Sequence, residues 1–213
     1  EETGKKLEKF VSLGGTIYFT YMTAMVNEND LCHLGGFPGA GLKNVCGIWN
    51  EEIDTLYPGE SNTVRLKNGK DYTATDYCEV IHLKGAVSLA EYKEDFYAGL
   101  PAFTLNKYGK GKAYYQAFRD NGAFFSDVID GILSECEVKS EFNGEWPYGV
   151  TVHSRTDGEN IYVFIQNFTG EEKIINTLEK WHDEESDNIL SGKIRIKPYG
   201  TIILKKEKNS RET

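Results

Sequence analysis

The chain has 213 residues, a net charge of −9 and a hydrophobic fraction of 39%, with 13 tyrosines and 11 phenylalanines. That length holds one large domain or two small ones, and that content of apolar and aromatic residues supports a packed core rather than a disordered chain. The acidic balance, with no long basic patch before the tail, argues against a nucleic-acid partner and reads as a well-hydrated surface.

Leu7, Phe10 and Val11 fall at helical spacing between Thr3 and Gly14, which predicts a short amphipathic helix stopped by glycine. Thr16 to Tyr21 is rich in β-formers and predicts the strand that follows. A helix feeding a strand through Gly14-Gly15 is an αβ unit of an open sheet. A doubly wound sheet starts on a strand, so the first strands are expected to be missing. Asn27 to Gly41 carries polar helix breakers followed by Gly35, Gly36, Pro38, Gly39 and Gly41. It predicts a long ordered loop, of the kind that serves function or an interface. Leu42 to Cys46 is long enough for one helical turn, and Ile48 to Ile53 reads as extended.

Asn68-Gly69 between two alternating runs predicts a hairpin over Asn62 to Thr75. Further strands are expected at Tyr77–Leu83, Val87–Tyr92, Ala102–Leu105 and Lys112–Phe118. From Asn121 to about Cys136, the residues Phe124, Phe125, Val128, Ile129, Ile132 and Leu133 mark the buried face of a helix. Composition shifts near Val138 to Trp146. Short β runs follow at Val150–Ser154, Ile161–Asn167, Lys173–Leu178, Lys193–Ile196 and Thr201–Lys205, punctuated by Asp157-Gly158 and Pro198-Tyr199-Gly200. They predict a small antiparallel β domain. The KKEKNSRET end reads as a solvated tail.

No apolar run approaches the ~20 residues needed to span a bilayer, so no membrane partner is expected. EETGKKLEKF is charged throughout and is no signal peptide; it lacks an initiating Met, as an excised segment would. Cys32, Cys46, Cys78 and Cys136 form no CxxC and have no nearby His cluster. Zinc is not indicated, no metal or cofactor is implied, and reduced thiols in a cytoplasm are the expectation.

The first candidate place for chemistry is the turn after Thr16–Tyr21. A nucleophile elbow places Ser or Cys there, whereas this chain has Tyr21-Met22-Thr23-Ala24. Cys32 lies further on, and its sequence neighbour His33 does not face it by default. Glu51-Glu52 lie consecutively on an extended segment and point to opposite faces; they cannot flank one glycosidic bond. Glu28, Asp30 and Asp54 lack the spacing of a calcium loop. Tyr108-Gly-Lys-Gly-Lys112 leads into a strand, not a helix, and reads as a turn rather than a phosphate loop. Asn167-Phe168-Thr169 matches the glycosylation acceptor pattern, here without a secretion signal. His82, His153 and His182 are isolated. Trp49, Trp146, Tyr148 and Trp181 are aromatic groups that anchor cores and interfaces or stack on sugars.

Taken together, FVSLGGTIYFTYMTAMVNENDLCHLGGFPGAGLKNVCGIWNEEID, FYAGLPAFTLNKYGKGKAYYQAF, WPYGVTVHSRTDGENIYVFIQNFT and KPYGTIIL resemble the C-terminal half of family 42 glycoside hydrolases, the bacterial β-galactosidases. The resemblance implies a trimerisation domain over 1–139, a C-terminal antiparallel β domain over 140–207 and a flexible tail over 208–213. It implies a glutamine-amidotransferase-like (flavodoxin-like) open α/β sheet without amidotransferase chemistry, which suits Tyr21 at the elbow. The family's two catalytic glutamates lie in a (β/α)₈ barrel of about 250 residues, and no glutamate here maps to either. The expected role is therefore the oligomerisation and scaffold portion of a cytoplasmic β-galactosidase that removes terminal β-linked galactose. The fragment itself is expected to be inactive and to have its own copies as partners in a homotrimer, with galactosides bound by the missing catalytic domain. The candidate contact loop carries His33, Phe37 and Trp49. The alternatives are a stand-alone carbohydrate-binding or regulatory module, and an amidotransferase-like enzyme using Cys32.

Overall fold

The computed structural model describes residues 2–208. Glu1 and residues 209–213 of the expected tail lie outside the described residues. The chain divides into two units, Glu1–Cys136 and Glu137–Thr213.

The first unit opens on α1 (Glu2–Ser12), which has Glu2 in its first turn and Lys9 in its last, the order that suits the helix dipole. Gly14, at φ 119, ends it with its N–H on the Val11 carbonyl. Val11 and Gly4 are the buried positions of this helix. A Cβ at Gly4 would meet the Ala40 carbonyl oxygen at 2.2 Å, so α1 lies backbone against backbone on the long loop. β1 (Thr16–Thr20) follows, then the loop, α2 (Leu42–Cys46) and β2 (Ile48–Thr55). The Asn-Gly turn joins β3 (Asn62–Leu66) to β4 (Asp71–Leu83), with the Asn68 carboxamide accepting the Lys70 N–H at 3.0 Å. Sequence patterning gives two strands meeting near Asp76. The structure has one 13-residue strand instead. Asp76, at φ 61, makes an irregularity in it rather than a chain reversal.

β5 (Val87–Tyr92), β6 (Pro101–Tyr108), β7 (Gly111–Gln116) and β8 (Phe118–Arg119) complete an eight-stranded sheet in the order β1-β7-β6-β5-β3-β4-β2, with β8 beside β4. Among the described residues of this sheet only β1 and β7 pair in parallel; the other ladders are antiparallel. The expected open α/β sheet is thus a mixed sheet. From β2 onward its strands follow one another through short connections without helices, which leave no room for the crossovers that parallel neighbours need. β7 is buried on both faces. Tyr114 points into one core with Tyr92, Phe103, Phe118 and Phe124, while Ala113 and Tyr115 point into another with Val11, Phe19, Leu42, Ile48 and Ile81. α3 (Ala123–Glu135) covers the first core through Phe124 and Ile132. Phe125 and Leu133, expected in the same buried face, are exposed. The apolar stripe is wider than the contact.

The second unit holds β9 (Gly144–Glu145), β10 (Val150–Thr156), β11 (Asn160–Asn167), β12 (Lys173–Asp183), β13 (Ile189–Ile196) and β14 (Thr201–Glu207). They form an antiparallel sheet in the order β10-β11-β14-β12-β13, with β9 on β12. Every second residue of β11 is buried, and Val163, Ile165, Ile175, Ile196 and Leu204 form the core with Phe142 and Trp181. β12 runs past the expected Leu178: Leu178 is exposed and polar Glu179 and Asp183 fall in the inward row with Ile175, Thr177 and Trp181, so the apolar alternation that marks a strand in sequence is lost there while the strand continues through a register shift between Thr177 and Trp181.

Candidate functional site

The turn after β1 is tight and strained. Met22 and Ala24 have φ of 60 and 52, positions that favour glycine. Thr23 caps the strand end, its hydroxyl donating to the Thr20 carbonyl at 2.6 Å. Tyr21 stacks on Tyr77, ring centroids 5.9 Å apart.

Beneath this turn lies the residue that sequence reasoning missed. Glu79 of β4 is 0% exposed. Its carboxylate accepts the Met22 N–H at 2.6 Å and the Tyr115 hydroxyl of β7 at 2.8 Å. Burial pushes this carboxyl up to about 7, against the pull of those two donors. Asn50, also buried, lies beside the same carboxyl and adds a smaller pull in the same direction as those donors, without a well-aligned hydrogen bond of its own. The available signal was a lone glutamate inside Cys78-Glu79-Val80-Ile81, four successive residues that are all buried. Burial raises the Cys78 thiol to about 12, and burial followed by the nearby Glu79 charge raises Cys46. These thiols are packing groups rather than nucleophiles.

The loop beyond the turn is held by its own backbone. Asn27 accepts the N–H groups of Asn29 and Leu31. His33 N–H reaches the Met25 carbonyl, Gly39 N–H the Ala24 carbonyl, and Asn50 N–H the Phe37 carbonyl. A Cβ at Gly39 would sit 2.1 Å from the His33 ring, so glycine is what lets the half-buried imidazole lie there. Lys43 donates to the Gly35 carbonyl. The result is an open hollow of ≈ 360 Å³ walled by His33, Pro38, Lys43, Asn44, Lys84 and glycine backbone. Trp49, the second residue of β2, is 39% exposed. It stacks on His82 at 4.5 Å, and His82 Nε2 meets the Glu51 carboxylate at 2.5 Å. The Phe37 backbone is thereby hydrogen-bonded beside Trp49, while His33 packs on the other limb of the loop. Leu34 stands fully in solvent and Leu31 is largely exposed.

The remaining candidates separate. Cys32 is exposed and its backbone bridges Val26. The ladder to β4 shifts register between Asn50 and Glu52, and Glu51 is committed to His82. Asp54 accepts the Tyr97 hydroxyl at 2.7 Å. Tyr108 to Lys112 is the turn between β6 and β7, and Lys112 pairs with Glu135. Asn167 is buried, its amide donating to the Glu171 and Lys197 carbonyls, so the acceptor nitrogen of the glycosylation pattern is occupied. His153 is exposed, and His182 lies between Glu184 and Asp187. Trp181 is buried, whereas Trp146 and Tyr148 are exposed. Among the described residues no three His, Cys, Asp or Glu converge as metal ligands, and no helix is long and apolar enough to cross a membrane. All four cysteines are free.

The model of the β-galactosidase trimerisation domain matches residues 1–139, and that of the β-galactosidase C-terminal domain matches residues 149–206. The chain is 41% identical to β-galactosidase Pbg of Clostridium perfringens over 96% of its own length. It is 37% identical over 95% to β-galactosidase BglY of Alicyclobacillus acidocaldarius. A catalytic-mutant structure of Gan42B, a GH42 β-galactosidase from G. stearothermophilus, superposes with a TM-score of 0.83 at 36% identity over 98% of the chain. In each case the match covers 30% of the relative, so the chain spans under a third of the length of these proteins.

Proposed function

The chain belongs to the family 42 β-galactosidases, in the part that carries their trimerisation and C-terminal domains, and from that premise we propose that it serves as the oligomerisation and scaffold portion of a β-galactosidase. The observation that carries this reading is the match of residues 1–139 to a trimerisation domain. The whole enzyme removes terminal non-reducing β-D-galactose, and the barrel that does so lies outside this segment. Residues 1–139 form the assembly domain and residues 140–207 the β domain. The first is a glutamine-amidotransferase-like scaffold that has lost its reaction. The strained turn after β1 supports that descent, since Tyr21 stands where a nucleophile would and Glu79 now fastens the turn. The four free thiols favour a cytoplasmic setting.

Assembly is a homotrimer, and the loop with His33, Phe37 and Trp49 touches a neighbouring copy. Its solvent-facing Leu31, Leu34 and Trp49 are apolar groups on a backbone already fixed by hydrogen bonds, so contact orders little further chain. By itself the chain hydrolyses nothing: Glu79 is sealed from any sugar. Assayed on a nitrophenyl β-galactoside, the 213-residue chain is expected to be silent while the full-length protein turns over. Turnover by the chain alone, or silence of the full-length protein, contradicts the reading.

A further inference from the structure

We propose that the second unit carries a saccharide subsite beside Trp146, on the outer face of β12, which takes the pyranose ring of a β-galactoside. The choice of galactose among sugars rests on the function proposed above; the site itself rests on its geometry.

Strand pairing sets Asn176 opposite Glu145 on one side and opposite Lys193 on the other. Directly paired residues share a face, so these three side chains form a row across β9, β12 and β13. With strands about 4.8 Å apart the row spans roughly 10 Å, the width over which the hydroxyls of a sugar ring reach. None of the three has a hydrogen-bond or ion-pair partner on its side chain among the described residues. Neighbouring charges on the same strands do: Lys173 pairs with Glu171, and Arg195 with Glu172. Beside the row stands Trp146, 42% exposed. Its ring is backed by Phe142 at 6.0 Å, which is itself backed by Trp181 at 6.0 Å. The indole is therefore held at its rear and open at its front. Pro147 and the exposed Ile174 complete an open hollow of ≈ 450 Å³, a size within the range of small-ligand sites.

The chemistry of the lining selects the ligand. A purely apolar occupant would strip water from Glu145, Asn176 and Lys193 without replacing it. A small anion would meet Glu145, and a small cation Lys193. A neutral polyol satisfies all three, donating to the carboxylate, exchanging both roles with the carboxamide and accepting from the ammonium. It also offers a C–H face to the indole. Galactose presents such a face because its axial 4-hydroxyl leaves the opposite side of the ring with contiguous C–H groups.

The test is titration of the 213-residue chain with galactose, lactose and a β-linked galactobiose, followed by tryptophan fluorescence and indole N–H resonances. Saturable binding with a dissociation constant in the millimolar range is expected, about ten-fold weaker in Trp146→Ala and partly restored in Trp146→Phe. Asn176→Ala, which leaves the indole in place, is expected to weaken binding as well. No saturable response, or unchanged binding in a Trp146→Ala chain whose circular dichroism is native, overturns the subsite. Stronger binding of glucose than of galactose overturns its assignment to galactosides. The chain carries no catalytic barrel, so its failure to bind leaves the galactosidase reading standing. Equally, binding by the chain does not rescue that reading if the full-length protein is silent.

Discussion

Glu79 is where one side chain links the turn to the sheet. A carboxyl at 0% exposure with two donors and no cationic partner is held to protonate near 7 rather than in the usual carboxylate range. In the unfolded chain it is ionised well below that pH. Folding therefore favours its protonated form. The associated stability is fully present below the ordinary glutamate range and is lost as pH rises through about 7. The loss amounts to on the order of 3 kcal/mol. Melting temperature, followed from pH 5 to pH 8, is expected to fall with this dependence in the native sequence and to flatten in Glu79→Gln. A variant that keeps the slope would move the titration to another group. Sequence showed a glutamate within a β run; its burial follows from β4 lying between β2 and β3 with β7 across the core, and no local pattern encodes that. Asn167 teaches the same lesson: the Asn-Phe-Thr pattern is legible, and the two carbonyls that occupy its amide are not.

Among the elements, α3 shows how far periodicity reaches. The stripe from Phe124 to Leu133 correctly gives a helix and its general face. It does not say which edge of the stripe the sheet covers. Phe124 meets Tyr72, Phe103 and Phe118 at 5.1, 5.0 and 4.9 Å, while Phe125, 43% exposed, pairs with Tyr18 at 5.4 Å. Phe124→Ala is expected to cost about 3–5 kcal/mol, a drop in melting temperature on the order of 10 °C. Phe125→Ala, at a half-exposed site, is expected to cost about 1 kcal/mol or less. Equal losses would contradict this packing. α1 is positioned by the opposite device, the absence of a side chain. Gly4→Ala drives a Cβ into the Ala40 carbonyl and is expected to cost about 1–3 kcal/mol, measurable by urea denaturation. A neutral result there would mean that helix and loop are not in contact. Glycine at position 4 looks in sequence like an ordinary helix-weakening residue. Its role appears only once the loop folds back over it.

At the scale of the whole molecule, two units carry separate cores, and the resemblance to family 42 covers both. The order of elements was legible almost throughout, because glycine turns and β runs mark it. The sheet's strand order was not, because pairing β1 with β7 joins residues nearly a hundred positions apart. The tight turn after β1 was also legible, and the structure adds what fastens it: the Met22 N–H donates to the Glu79 carboxylate. The loop that carries half-buried His33 and Phe37 and leads to Trp49 leaves Leu31, Leu34 and Trp49 among the exposed apolar groups, and we propose it as the surface that meets a second copy. The central claim is that this segment assembles the enzyme rather than performing its chemistry. Light scattering on the full-length protein carrying Phe37→Ala and Trp49→Ala tests it most directly. The account predicts that the native protein has three times the subunit mass and that the double variant dissociates at the same concentration while keeping its circular dichroism. A double variant that remains fully trimeric would contradict it.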